Sequence, residues 1–135
     1  MIKKISLVFG VVFAAVGLLG FVMNPILGIF ATDALHNVVH LLTGVVALYF
    51  GIMGSEAAAA MFLKVFGAVY ALVAVLGFTV VTDGKILGLI QTNTADNWLH
   101  VVLAAALLGS GFMFGGKGMP SSTMVPPSSP MSPSA

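Results

Sequence analysis

A chain of 135 residues that is 59% hydrophobic and only 7% charged has too little charge to clothe a water-soluble globule. Its mean hydropathy of +1.14 makes the bilayer its natural solvent, and a net charge of +1 on dispersed lysines leaves no basic field to hold nucleic acid. The absence of cysteine excludes disulfides, thiolate metal sites and thiol redox chemistry within the chain.

A helix needs about 20 mostly apolar residues to cross a hydrocarbon core of about 30 Å, and four segments meet that requirement. The first runs from Ile5 to Met23 and stops at Asn24-Pro25, because proline disfavours a helical residue before it. Lys3-Lys4 ahead of this run also fits a secretory leader. Retention is the expectation: the run is long enough to span, no small-x-small cleavage site closes it, and an internal segment matches it. The second span runs from Leu35 to Met53, and the third from Ala59 to Val81, where Thr82-Asp83-Gly84 turns the chain. The fourth runs from Asn97 to Phe114 and ends at Gly115-Gly116. None shows the alternation of a barrel strand. Past Gly118 the composition turns to proline and serine, which cannot bury enough apolar area to offset chain entropy, so a disordered tail is expected over 118–135.

Two stretches are near copies. Val8-Phe9-Gly10 through Leu19-Gly20-Phe21 matches Val65-Phe66-Gly67 through Leu76-Gly77-Phe78, and Leu27-Gly28 through His40 matches Leu87-Gly88 through His100. The expected fold is therefore an all-α integral membrane protein with four transmembrane helices. It is built as a parallel tandem duplication of a two-helix unit. The membrane domain spans 1–117, with repeat one at about 5–54 and repeat two at about 59–116. Lys3, Lys4, Lys64 and Lys117 fall on one side and Lys85 on the other, so both termini should be cytoplasmic in a plasma membrane. Small pairs four apart, namely Gly10/Ala14, Gly67/Ala71, Ala47/Gly51 and Ala105/Gly109, offer smooth faces for packing within the bundle or against a second copy. Tyr49 and Tyr70 are expected inward or near an interface, where the hydroxyl finds a partner.

The polar chemistry is concentrated at the starts of spans two and four. His36 and His40 share a helical face, with Asn37 beside them and Thr32 and Asp33 as possible caps. In the second copy Asp96, Asn97 and His100 occupy the same places, and Thr94 or Asp96 is expected to cap the helix. One reading makes this cluster structural: His36, Asn37, His40, Asp96, Asn97 and His100 cross-link the helices or form a partner interface, in a non-enzymatic protein without a cofactor. A second makes His36, His40, Asp96 and His100 a transition-metal site, or His40 and His100 haem ligands. A third is an enzyme acting on a lipid or quinone at the outer interface. No nucleophile with an adjacent base, phosphate loop or carboxylate pair supports catalysis, and no other ionisable residue marks an ion path through the spans. The partners expected are the bilayer and either a second copy or another membrane protein.

The run Leu35-His36-Asn37-Val38-Val39-His40-Leu41-Leu42-x-Gly44 resembles a bacterial membrane family, domain of unknown function 4383. So do Asn93-Thr94-Ala95-Asp96-Asn97-Trp98-Leu99-His100 and the Val65-Phe66-Gly67-x-x-Tyr70 opening of span three. The resemblance covers about Val8 to Gly111. It implies a small four-helix membrane protein of unassigned activity and brings no catalytic or cofactor residue with it.

Overall fold

A computed structural model describes residues 1–116 of the chain. The tail expected over 118–135, and Lys117 with it, lies outside the described residues. Four helices make the body: α1 (Ile2–Val22), α2 (Ala34–Ile52), α3 (Glu56–Thr79) and α4 (Thr94–Phe114). Each is long and apolar enough to cross a membrane. Their starts lie up to three residues before the spans expected from hydropathy, because the more polar first turns are helical too.

Side-chain caps open three of the helices. Asp33 accepts from the His36 backbone N–H, Ser55 from Ala58 and Asn93 from Asp96, each satisfying one donor that the first turn leaves free. Asp33 is thus one of the two caps expected for α2, and the other expectations are corrected. Neither Thr94 nor Asp96 caps α4, and Thr32 does not cap α2; its backbone is held by the Asn24 side chain instead.

Each helix packs chiefly on its chain neighbour, giving hairpins α1/α2 and α3/α4 that meet along narrower seams. Within the hairpins small residues let backbones approach. Gly10 faces Leu48 as Gly67 faces Leu108, and Gly51 faces Leu7 as Gly111 faces Lys64. Gly20 and Gly77 lie under Asn37 and Asn97, whose side chains would collide with any added Cβ. The Ala105/Gly109 pair does not pack within the bundle: Ala105 is exposed and an added Cβ on Gly109 would meet no other part of the protein, while Ala104, Leu107 and Gly111 form the buried stripe of α4. Phe13, Ala47, Leu63, Tyr70 and Leu107 fill the centre, and Val8, Leu18, Leu42, Leu72 and Val102 point outward. Large apolar residues outside and small or polar ones inside are the inverse of a water-soluble bundle. Tyr70 is buried, whereas Tyr49 is 59% exposed on the outer surface.

At one end the loops carry short strands that an all-α reading does not anticipate. After α3 the chain forms an antiparallel sheet of β1 (Val81–Thr82), β2 (Lys85–Ile86) and β3 (Ile90–Gln91), with Val81 opposite Ile86 and Ile86 opposite Ile90. The α1–α2 loop makes a smaller version, a single bridge between Ile26 and Phe30. Both loops turn on a leucine and a glycine in the left-handed region, Leu27-Gly28 and Leu87-Gly88. Ile26 and Ile86 fold down as apolar plugs. At the opposite end the terminal ammonium lies 3.4 Å from Glu56, and Lys3 donates to the Ile52 carbonyl. Lys3 and Lys4 are thus at the end away from Lys85.

Candidate functional site

With α2 capped at Asp33 and α4 at Asn93, the residues one turn apart at each helix start, His36/His40 and Asp96/His100, turn their shared faces to the bundle centre. All four are buried to within 2–3% exposure. The site therefore joins residues distant in the chain: α2 supplies two imidazoles, α4 an imidazole and a carboxylate, and α3 the Tyr70 hydroxyl.

The hydrogen bonds order the protons. The His36 Nδ1 atom lies 2.8 Å from the Gln91 carbonyl, which only accepts, so Nδ1 carries the proton. In the neutral ring Nε2 is then a lone pair. It faces His40 Nε2 at 2.9 Å, so His40 donates there and its own Nδ1 accepts from the Tyr70 hydroxyl, 3.3 Å away. A directed chain thus runs from Tyr70 through His40 and His36 to Gln91, linking α3, α2 and β3. The carboxylate of Asp96 stands 3.5 Å from His100 Nδ1 and 3.9 Å from His36 Nε2. Behind it the Thr92 hydroxyl lies 2.8 Å from Asp96 Oδ2 and 2.6 Å from Asn97 Oδ1, with one proton to give to either. Asn97 in turn donates to the Gly77 carbonyl at 2.6 Å. Phe13 walls the cluster, its ring 5.6 Å from that of His40 and 5.1 Å from that of Tyr70. Among the described residues three buried polar atoms have no partner: Thr32 Oγ1, Asn37 Oδ1 and His100 Nδ1.

Two small cavities flank the cluster. One of about 80 Å³ lies between α2 and α3, with Val39, Val69 and Ile90 leading to His36, His40 and Tyr70. The other, of about 130 Å³, lies between α1 and α4 and reaches His40 and Asp96 past Leu19, Ile26 and Leu99.

The loops are clamped over this end by crossed contacts. Asp33 accepts from the Gln91 backbone at 3.0 Å and lies 3.8 Å from Lys85, while Asn93 donates to the Ile29 carbonyl at 2.7 Å. Burial works to raise the Asp33 pKa, but the His36 and Gln91 backbone N–H groups and Lys85 outweigh it and hold the carboxyl below its ordinary 3.8. A carboxylate with a depressed folded pKa stabilises the fold above its unfolded value, and that contribution disappears as pH falls through the folded value. The thermal midpoint in detergent is therefore expected to drop as pH is lowered past 3.8. In Asp33→Asn this acid-side drop should shrink. An unchanged pH profile in the variant would remove Asp33 from the clamp.

Of the residues singled out from sequence, His36, His40, Asp96 and His100 come together and Asn97 joins them through Thr92. Asn37 does not. It sits against Gly20 with its Oδ1 unpartnered. Three members were not placed in the cluster from sequence: Thr92, Gln91 and Tyr70, the last expected only to lie inward or near an interface with a partner for its hydroxyl. A signal existed for two of them, since Tyr70 is the one polar exchange in its apolar repeat, opposite Phe13, and Thr32 and Thr92 match between the copies. Gln91 acts through its backbone, which no residue identity reports.

No curated protein and no solved structure matches the chain. The family carrying the description domain of unknown function (DUF4383) does, over residues 3–113, from the first turn of α1 to the last of α4, and the chain belongs to that family.

Proposed function

We propose that the chain is a non-enzymatic multi-pass protein of the plasma membrane whose His/Asn/Asp cluster ties two helix hairpins together at the outer face. The reading takes the hairpins as a duplicated unit inserted in the same direction, with both termini cytoplasmic. One observation carries it: four of the side-chain hydrogen bonds joining one hairpin unit to the other gather at the loop end, His36 and Asp33 on Gln91, His40 on Tyr70, and Asn93 on Ile29, against the exposed contact of the terminal ammonium with Glu56 at the other end. Lipid supplies no hydrophobic drive between helices, so polar contacts of this kind hold such seams. Matching turns at Leu27-Gly28 and Leu87-Gly88, and matching contacts of Asn37 on Gly20 and Asn97 on Gly77, support the duplication. The lysines support the orientation, because Lys3 and Lys4 lie at one end and Lys85 at the other.

Single cysteines test this placement in a chain that has none. Leu89, at the tip of the second loop, and Glu56, at the opposite end, are both exposed. An impermeant maleimide applied to intact cells is expected to label Leu89→Cys and to spare Glu56→Cys until the membrane is opened. Labelling of Glu56→Cys alone would put the cluster on the cytoplasmic side and end the outer-face reading.

A further inference from the structure

We propose that the same cluster is a mononuclear metal site in which His36, His40, His100 and Asp96 hold one divalent first-row transition ion of the zinc class. The inference goes beyond the tying role, which needs only hydrogen bonds. Three imidazole nitrogens and one carboxylate oxygen form a donor set that zinc and its neighbours accept, and four donors suit a tetrahedral ion. The spacing fits. Ligand atoms on a tetrahedral zinc, each bonded at about 2.0–2.1 Å, lie roughly 3.3 Å from one another. Here His36 Nε2 and His40 Nε2 are 2.9 Å apart, His100 Nδ1 and Asp96 Oδ2 3.5 Å, and His36 Nε2 and Asp96 Oδ2 3.9 Å. One ring nitrogen from each of the three histidines lies within 4.8 Å of the others, while Asp96 stands outside that group and reaches His36 and His100 alone, so it completes the set as the fourth, adjustable ligand.

Two further observations point to an ion rather than to hydrogen bonding alone. His100 Nδ1 is buried and has no hydrogen-bond partner, although it faces the Asp96 carboxylate. A buried ring nitrogen without a partner is costly, and a metal gives it one. For two of the three histidines the outer contacts are also those of ligating imidazoles, whose second nitrogen is engaged by a carbonyl or another oxygen so that the first points its lone pair inward. His36 Nδ1 is engaged by the Gln91 carbonyl and His40 Nδ1 by Tyr70. The proton between the two Nε2 atoms then marks the place the ion takes. On binding, His40 exchanges its Nε2 proton for one on Nδ1, and the Tyr70 oxygen turns from donor to acceptor, with no proton lost from the ring. The positive ends of α2 and α4 oppose a cation, and the Asp96 carboxylate, held by Thr92, offsets them. Haem does not fit. The flanking cavities of about 80 and 130 Å³ fall well below the roughly 300 Å³ at the small end of cofactor sites, and His36 occupies the space beside His40.

The test uses the full chain, purified without a histidine tag, stripped with chelator in detergent and dialysed against zinc(II) or cobalt(II). About one ion per chain is expected to survive gel filtration, with cobalt giving the intense visible bands of a tetrahedral ion. Zinc should raise the thermal midpoint and chelator should lower it again. His40→Gln keeps a hydrogen-bonding amide but loses a ligand, so retained metal should fall at least about tenfold while the chain stays folded. Asp96→Asn is the second variant and should weaken binding in the same direction. Parent protein that is folded yet binds no more zinc than His40→Gln and shows no cobalt bands would overturn the metal site and leave the hydrogen-bonded tie standing. Should His40→Gln not fold, the cobalt spectrum and zinc stoichiometry of the parent decide the question by themselves.

Discussion

Gly44→Ala is expected to destabilise the protein, by up to about 2 kcal/mol net, and Gly109→Ala to leave it unharmed, although both replace a helical glycine in an apolar span. A Cβ on Gly44 would meet the Ala14 backbone nitrogen at 2.5 Å, with Ala14 Cα and the Gly10 carbonyl oxygen each at 2.9 Å. Backbone atoms cannot rotate aside, so α1 and α2 would have to separate along their whole contact. Overpacking of this kind costs about 1–3 kcal/mol. Alanine recovers only about 1 kcal/mol of helix propensity over glycine. A Cβ on Gly109 would meet nothing outside its own stretch of helix within 4 Å, so alanine there gains propensity at no steric cost. Thermal midpoints of the two variants in one detergent decide the matter. Equal midpoints for Gly44→Ala and the parent would mean that α1 and α2 do not cross this closely.

The second large effect is expected at His40. Its replacement by alanine removes the donor to His36 Nε2 and the acceptor for the Tyr70 hydroxyl, and opens a void against Phe13. Hydrogen bonds between membrane helices average about 0.6 kcal/mol and reach at most about 1.7 kcal/mol. Leaving a buried partner unsatisfied costs about 1–3 kcal/mol. A loss of about 2 kcal/mol, read as a fall of the thermal midpoint with chelator present, lies within that range. Glutamine can still donate to His36 and accept from Tyr70, so His40→Gln should recover much of it under the same conditions. Two results count against the tying role: alanine without effect, or glutamine no better than alanine. Keeping chelator in every sample separates this loss from any contribution of a bound ion.

The spans were legible because their cause is local. About 20 apolar residues in a row satisfy the bilayer whatever they pack against, so hydropathy alone placed four helices within a few residues of their observed limits. The same holds for the pairing of His36 with His40 and of Asp96 with His100, since a spacing of four puts two side chains on one helical face wherever the helix lies. Membership of the family was legible for a related reason, as the Asn93 to His100 run is a pattern of identities. Small-residue stripes were legible only in part. Gly10 and Gly67 pack as expected, but Gly109 does not, because spacing says which residues share a face and not which face meets a neighbour.

What the tertiary structure decided is how the two polar clusters relate. Sequence could put His36 and His40 on one helix and His100 on another, but only the approach of α2, α3 and α4 brings their ring nitrogens within 4.8 Å of one another. It also chose His40 as the partner of the Tyr70 hydroxyl, and it recruited the Gln91 carbonyl, whose role rests on the β2–β3 turn and not on its side chain. Asp96 shows the difference most directly. Its type and position suit a helix cap, yet Asn93 takes that bond and leaves the carboxylate free to turn inward onto the histidines. Caps and spans follow from energies within a few residues of chain, whereas the cluster exists only because several helices share one small volume, and that is set by packing between them.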